Sequence, residues 1–256
     1  MKHNKGDNLQ WQSIDYDEVS EVYDQARSGS PEMIQHLVRG ISLGPKSLVL
    51  DVGCGTANNT LCFTETTNAQ VVGIDLSCRM LRKAQEKVPG LCFIQSSAEL
   101  LPFLDSIFGF VFMTDVVHHL PDLVSTLSEI HRVLNRGGLV CIVTQSQKQI
   151  EERMTSKFFP TTAAIDKARY PSISKIERAM LDRGYINVHS DEHTLAPFVL
   201  SPDYLAIVEK KGYSSLYKIS NEEFREGLRA IRDALSRADE LRYFTEYTFV
   251  WAVKGA

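Results

Sequence analysis

The sequence lacks several features that mark secreted, membrane-spanning or nucleic-acid-binding proteins. Its five cysteines include no C-x-x-C pair, so they predict small buried thiols in a reducing cytosol rather than disulfides or a metal site. No run of about 18 apolar residues could span a bilayer, and the polar N-terminus has no signal-peptide core. A net charge of −4 supplies no excess positive charge for a nucleic-acid backbone. We therefore expect a cytoplasmic chain that uses neither membrane nor nucleic acid as a partner.

Two phosphate-binding signatures are also missing. There is no G-x-x-x-x-G-K-[ST] run, and the third glycine position of a G-x-G-x-x-G loop beginning at Gly53 is Asn58. A pyrophosphate needs exposed amides at a helix N-terminus, which glycine-rich loops provide. If the chain binds a nucleoside, the sequence therefore argues against a dinucleotide that contains a pyrophosphate.

Apolar runs alternate with helical patterns along most of the chain. Strands are predicted at about 47–52, 70–75, 91–95, 107–113, 139–144, 185–190 and 243–253, and helices lie between them. Ser30-Pro31 and Ser77 are typical helix starts, and Gly137-Gly138 is the expected end of another helix. This alternation predicts right-handed crossovers and an α/β fold with a parallel sheet covered on both faces.

The pattern loosens after residue 144. We divide the chain into a core with an N-terminal lid helix over 1–146 and a remainder over 147–256, which completes the sheet and carries a helical cap. The cap is predicted from insertions at about 147–171 and 191–240, the second with helices beginning at Ser201-Pro202 and Ser220. Both insertions follow strands parallel to the first, so they leave from the carboxyl edge of the sheet, where such folds bind ligands.

Acidic residues end two of the predicted strands. Asp51 closes the first and leads into a loop with Gly53 and Gly55, and Asp75 closes the second. Glycines let backbone approach a ligand, and a carboxylate at a strand end can accept hydrogen bonds from ribose hydroxyls. This pairing indicates a nucleoside ligand.

The run D-V-G-C-G-T-A from Asp51 to Ala57 resembles the first motif of class I S-adenosylmethionine-dependent methyltransferases, of the small-molecule, methyltransferase type 11-like kind. Further likenesses are S-A-E-L-L-P-F from Ser97, T-D-V-V-H-H from Thr114 and R-V-L-N-R-G-G from Arg132. Three motif positions depart from the family: Ser97 and Gly109 replace aspartates, and Arg136 replaces a proline. The resemblance implies a Rossmann-like, doubly wound, seven-stranded and mostly parallel sheet, with the last strand antiparallel beside the sixth.

The resemblance also implies S-adenosylmethionine as cofactor, with S-adenosylhomocysteine as its product and no metal. Asp75 would grip the ribose, Asp51 would order the loop amides or receive the cofactor's amino group, and Ser97 and Ala98 would contact the adenine. Arg27, in a Y-D-x-x-R motif with Tyr23, would meet the cofactor's carboxylate. The complete set of expected cofactor-binding residues is Tyr23, Arg27, Asp51, Gly53, Cys54, Gly55, Asp75, Leu76, Ser97, Ala98, Thr114 and His119.

The acceptor is less well defined by the sequence. A small molecule methylated by direct in-line transfer is the leading hypothesis, with His118 and His119 as weak candidates for a catalytic base. Candidate substrate contacts in the cap are Arg153, Phe158, Arg169, Tyr170 and Tyr204. A nicotinamide-dependent oxidoreductase, a non-catalytic protein that binds S-adenosylmethionine, and a tRNA or protein methyltransferase remain as alternatives. The sequence does not predict the oligomeric state.

Overall fold

A computed structural model describes residues 29–237 and 241–255, so Tyr23 and Arg27 lie outside the described part. A seven-stranded sheet forms the centre, in the order β3-β2-β1-β4-β5-β9-β6. Its strands are β1 (Leu48–Val52), β2 (Gln70–Asp75), β3 (Cys92–Gln95), β4 (Phe108–Thr114), β5 (Leu134–Thr144), β6 (Tyr185–Thr194) and β9 (Glu246–Lys254). A two-stranded sheet pairs β7 (Phe198–Val199) with β8 (Arg242–Tyr243).

The strand directions agree with the doubly wound fold expected from the sequence. The pairs β1–β2, β1–β4, β2–β3 and β4–β5 are parallel. The strand β9 lies between β5 and β6 and is antiparallel to both. The predicted position of the last strand is therefore confirmed, and β5 and β6 run in the same direction.

Helices cover both faces of this sheet. They are α1 (Pro31–Leu37), α2 (Asn58–Thr66), α3 (Cys78–Lys87), α4 (Leu123–Val133) and α8 (Ile173–Asp182). The predicted caps form: the side chains of Ser30 and Ser77 accept hydrogen bonds from Met33 N and Met80 N, both at 3.2 Å. The helix α4 ends at Val133 and not near Gly137-Gly138, because β5 already begins at Leu134 and pairs with Phe108.

The strand β4 shows how the sheet separates two hydrophobic layers. Phe110 and Phe112 pack on one face with Phe63, whereas Val111 and Met113 pack on the other with residues of α4 and α8. Successive side chains of a strand point to opposite faces, so a continuous apolar run is what a doubly covered strand requires. All four β4 side chains are fully buried.

The cap has a third hydrophobic cluster of its own, which includes Phe159, Tyr204 and Ile231. Its helices are α5 (Gln147–Glu152), α6 (Met154–Phe158), α7 (Thr161–Arg169), α9 (Pro202–Glu209) and α10 (Asn221–Ser236), with a 3₁₀ turn at Ser214–Tyr217. The starts predicted at Ser201 and Ser220 are correct. The strand predicted at about 185–190 extends further, to Thr194, because it continues to pair with β9.

The cysteines follow the sequence interpretation only in part. Cys62 and Cys141 are buried and Cys54 is half-buried, but Cys78 and Cys92 are exposed. The two exposed residues are the first of α3 and of β3, where the ends of elements meet solvent. None of the helices within the described ranges has the length and hydrophobicity needed to cross a membrane.

Candidate active site

A cavity opens at the carboxyl ends of β1, β2 and β4, where the topology places ligands in doubly wound folds. It extends from the glycine loop after β1 to the rim of the cap. The lining residues are Val52, Gly53, Gly55, Ile74, Asp75, Leu76, Ser77, Met80, Ser96, Ala98, Glu99, Thr114, Asp115, Val116, His119, Leu120, Pro121, Gly212 and Ser214. Seven of the predicted cofactor residues are among them: Gly53, Gly55, Asp75, Leu76, Ala98, Thr114 and His119.

The glycine loop is folded onto the end of the neighbouring strand. The amides of Gly53 and Cys54 both donate to the carbonyl of Ile74, at 2.8 and 2.9 Å. Gly53 has a φ of 73°, and a Cβ at this position would lie 2.4 Å from Cγ2 of Val116. Both the left-handed backbone and the close contact therefore require glycine here. Cys54 does not line the cavity, and burial raises the pKa of its thiol well above the ordinary value.

The carboxylate of Asp75 connects the two loops that form the cavity floor. Its Oδ2 accepts from the Gly55 amide and its Oδ1 from the Ser77 amide, both at 2.9 Å. Burial raises the pKa of Asp75, and the hydrogen bonds from these amides partly oppose that rise. Each carboxylate oxygen has a second lone pair, so Asp75 can also accept hydrogen bonds from a ligand in the cavity.

Asp51 is almost fully buried, with 1% of its surface exposed. Its Oδ2 accepts from the Thr60 hydroxyl at 2.7 Å, whereas its Oδ1 is buried without a hydrogen-bond partner. Burial raises the pKa of Asp51 to about 7, opposed by the Thr60 hydrogen bond and reinforced by the charge of Asp75. The role of ordering the loop amides, expected for Asp51, belongs instead to Asp75.

The cavity wall that follows β3 is not formed by Ser97, which the sequence predicted to contact the adenine. The Ser97 hydroxyl donates to the carboxylate of Glu99 and accepts from the Glu99 amide at 3.2 Å, and Ser97 does not line the cavity. Glu99 lines it, as does Ala98. A second contact of Glu99, with the hydroxyl of Thr126 at 3.5 Å, links this wall to α4. Glu99 therefore supplies the carboxylate on this side of the cavity.

Beyond β4 the chain places a carboxylate in an unusual backbone conformation. Asp115 has a φ of 57°, its amide donates to the Val143 carbonyl at 3.0 Å, and its Oδ2 lies 3.4 Å from the Tyr247 hydroxyl. Left-handed non-glycine residues are uncommon and concentrate at functional sites. The two neighbouring histidines differ: His119 lines the cavity, whereas the His118 ring stacks on Tyr170 with centroids 3.9 Å apart.

The substrate candidates separate into two groups, none of which lines the cavity itself. Arg153 and Arg169 form ion pairs with the buried Asp166 at 2.8 and 3.1 Å, and the Arg153 guanidinium lies 4.9 Å from the centre of the Tyr170 ring. Phe158 and Tyr204 instead belong to the hydrophobic cluster of the cap. Burial raises the pKa of Tyr204 far above its ordinary value, and its hydroxyl is buried without a partner.

Several lining residues were missed by the sequence interpretation. Glu99 and Asp115 lie inside the motifs that drew attention to Ser97 and Thr114, and their charge alone could have marked them. Gly212 and Ser214 come from a turn of the cap more than 90 residues after β4, and only the tertiary fold places them at the cavity. No local signal in the sequence predicts their position.

Comparison with known proteins agrees with the geometry of this site. Residues 50–142, which run from within β1 to within β5 and include most of the residues lining the cavity, match the family model of a methyltransferase domain. The matched segment is less than half of the chain. The seven-stranded sheet around the matched residues has the Rossmann-like, mostly parallel arrangement expected from the sequence.

One curated protein similar to this chain is the demethylmenaquinone methyltransferase of Lysinibacillus sphaericus. It is 32% identical over 146 residues, which are 53% of this chain and 62% of that protein. Another, from Staphylococcus epidermidis, carries the same name and is 36% identical over 118 residues, 44% of this chain and 49% of that protein. The chain thus spans about half to three-fifths of the length of these relatives.

Solved structures share the fold over more of the chain. A methyltransferase from an antibiotic biosynthesis pathway of Anabaena variabilis has a TM-score of 0.71 at 17% identity, covering 89% of this chain and 99% of that one. At these identities the likeness establishes the fold alone.

Proposed function

We propose that the chain binds S-adenosylmethionine in this cavity and transfers its methyl group to a small-molecule acceptor. Asp75 is the observation that carries the proposal. Its two oxygens lie at the end of β2, already oriented by the amides of Gly55 and Ser77, and each has a lone pair for a ribose hydroxyl. Hydrogen bonds from such hydroxyls to a carboxylate are charge-assisted and therefore strong.

The charge of the cavity supports a cationic cofactor over a dinucleotide. Asp75, Glu99 and Asp115 line it, and among the described lining residues none is lysine or arginine. The sulfonium and ammonium groups of S-adenosylmethionine are attracted to such a surface. A pyrophosphate would meet three carboxylates without a counter-charge, so the charge argues against the nicotinamide alternative.

Two further observations fit the methionine part of the cofactor. Gly53 lines the cavity, and because it has no Cβ its backbone packs closely against Val116, another lining residue. Asp51, two residues earlier, has a buried oxygen without a hydrogen-bond partner, and buried acceptors of this kind are rare. We assign the cofactor's amino group to the vicinity of Asp51 on this basis.

When bound, the cofactor supplies a methyl group activated by its sulfonium. In the transfer, a lone pair of the acceptor forms a bond to the methyl carbon as the sulfur–carbon bond breaks, which leaves S-adenosylhomocysteine and, for a protic acceptor, a proton. The residues of this chain hold the donor on β1 and β2 and place the acceptor between β4 and the cap. Positioning and exclusion of water account for most of the rate that such a site provides.

Calorimetric titration of the chain with S-adenosylhomocysteine and with NAD tests the binding step. We expect saturable binding of the former and none of the latter. Asp75→Asn should weaken S-adenosylhomocysteine binding by about 1.5–3 kcal/mol, the range for a hydrogen bond to a charged group. The matched control is Asp182→Asn, at the C-terminal end of α8. This variant should bind S-adenosylhomocysteine as the wild type does. Preference for NAD, or equal affinity of Asp75→Asn and wild type, would refute the assignment.

Transfer itself is tested with cofactor carrying a labelled methyl group and a panel of small acceptors. We expect the label to appear in an acceptor only when the cavity is intact. Tight cofactor binding without label transfer to any acceptor would favour a non-catalytic binding protein.

A further inference from the structure

Among the described residues, the part of the cap beside the cavity contains more positive charge than its neighbouring carboxylates neutralise. Arg153, Arg169 and Lys218 lie around the single buried carboxylate of Asp166, which is 4% exposed. Arg169 and Lys218 are close enough for the charge of Arg169 to help lower the pKa of Lys218, after the larger effect of burial. Asp115, at the end of β4, is the second carboxylate that acts on Arg153. Within the part of the chain that the structure describes, Arg153, Arg169 and Lys218 therefore lie near two carboxylates.

The two arginines of this group are not equally engaged. The Arg153 guanidinium donates through Nε to Gln145 at 2.5 Å and through Nη1 to Asp166 at 2.8 Å, and it packs over the Tyr170 ring. In Arg169, Nη2 lies near Asp166 and donates to the Ser214 hydroxyl at 3.2 Å, but Nε is buried without a hydrogen-bond partner. A buried charged donor without an acceptor is unfavourable. Arg169 thus has capacity for one more acceptor.

The position of Arg169 connects this capacity to the cavity. Ser214, which accepts from Arg169, comes from the cap and lines the cavity. The floor of the cavity is acidic, whereas the group behind its rim is basic. A ligand that spans both would present a positive or neutral part to the floor and a negative part to the rim.

We propose that the methyl acceptor carries an anionic group, a carboxylate or a phosphate, which binds at the cap rim to Arg169 with help from Ser214 and Lys218. The planar fork of an arginine is suited to oxyanions of either kind. The proposal rests on the proposed function, since it identifies the chemical class of the acceptor for that same cavity.

The test uses the full chain saturated with S-adenosylhomocysteine, so that the cofactor part of the cavity is filled. Inorganic phosphate and acetate are titrated separately, and binding is followed by amide chemical shifts. We expect saturable binding of at least one anion, and the tighter of the two identifies the kind of acceptor group. Absence of saturable binding for both anions would overturn the proposal, whereas failure to bind S-adenosylhomocysteine would instead overturn the proposed function.

Variants locate the anion site. Arg169→Gln should weaken anion binding at least about tenfold, because the charge-assisted contact is lost. Arg169→Lys keeps the charge without the Nε donor and should give an intermediate loss. The matched control, Arg178→Gln, removes an exposed arginine of α8 and should leave binding unchanged. Because Arg169→Gln also removes an ion pair of Asp166, Lys218→Gln and Ser214→Ala provide separate tests, each expected to weaken binding. Equal anion affinity in these two variants and in wild type would refute the assignment.

Discussion

Asp51→Asn should change the pH dependence of stability in a way that follows from the burial of this carboxylate. The folded state holds the pKa of Asp51 at about 7, above its ordinary value of 3.8. Between these values the folded chain keeps a proton that the unfolded chain has released, so the free energy of unfolding falls as pH rises through this window and levels off above about pH 7. At about 1.4 kcal/mol for each pH unit, the whole effect is on the order of 4 kcal/mol.

The assay is urea unfolding of wild type and Asp51→Asn at several pH values. Asparagine does not titrate, so the difference in unfolding free energy between variant and wild type should grow in favour of the variant by about 3 kcal/mol from about pH 5 to about pH 8. Groups that do not interact with Asp51 titrate alike in both proteins and cancel in this difference. A difference that stays constant over the range would refute the reasoning.

Thr60→Val provides an internal check on the same prediction. The Thr60 hydroxyl donates to Asp51 at 2.7 Å and lowers its pKa. Removing this donor should raise the pKa of Asp51 further and extend the fall in stability to higher pH. If the pH profile of Thr60→Val coincides with that of wild type, this hydrogen bond does not act on the titration.

Three other substitutions test separate parts of the structure. In Gly53→Ala, the new Cβ would lie 2.4 Å from Val116 on a left-handed backbone. Urea unfolding should therefore show a loss of about 1–3 kcal/mol in the free energy of unfolding, and calorimetry should show weaker binding of S-adenosylhomocysteine. In Gly227→Ala, the new Cβ would lie 2.1 Å from the Phe159 ring, so urea unfolding should show a similar loss of stability. The affinity for S-adenosylhomocysteine should be unchanged. A loss of affinity would show that packing in the cap affects the cavity floor. Glu99→Gln should weaken S-adenosylhomocysteine binding by about 0.5–1.5 kcal/mol. The control Thr66→Val, in α2, should bind as the wild type does. If Glu99→Gln also binds with wild-type affinity, Glu99 is not part of the binding site.

The parts of the fold that the sequence predicted are those determined locally. Apolar runs such as Phe108–Thr114 identify buried strands because both faces of a parallel sheet are covered. Serine caps at Ser30, Ser77, Ser201 and Ser220 identify helix starts because the capping hydrogen bond lies within three residues. The end of α4 was missed because β5 starts without a break, and pairing with Phe108 at a distant position decides that boundary.

The candidate site shows the same division between local and distant determinants. Gly53, Gly55 and Asp75 line the cavity, and the loop and strand-end patterns that pointed to them are encoded nearby. Asp51 was expected either to order the loop amides or to receive the cofactor's amino group. Asp75 accepts the Gly55 amide, and this depends on how β1 and β2 align. The Arg153–Asp166–Arg169 group was only partly anticipated, since Asp166 is recognisable as a partner only after α5 and α7 pack together.

The position of β9 also determines the order in which the sheet can be completed during synthesis. Residues 48–114 provide the four strands β1 to β4, which pair with one another without any later part of the chain. The outer edge of β5 and the whole of β6 remain without their neighbour until residues 246–254 leave the ribosome, more than 100 residues after β5. An open strand edge promotes association with other chains, so we expect nascent or truncated forms without the last nine-residue strand to aggregate, even though their glycine loop is already formed.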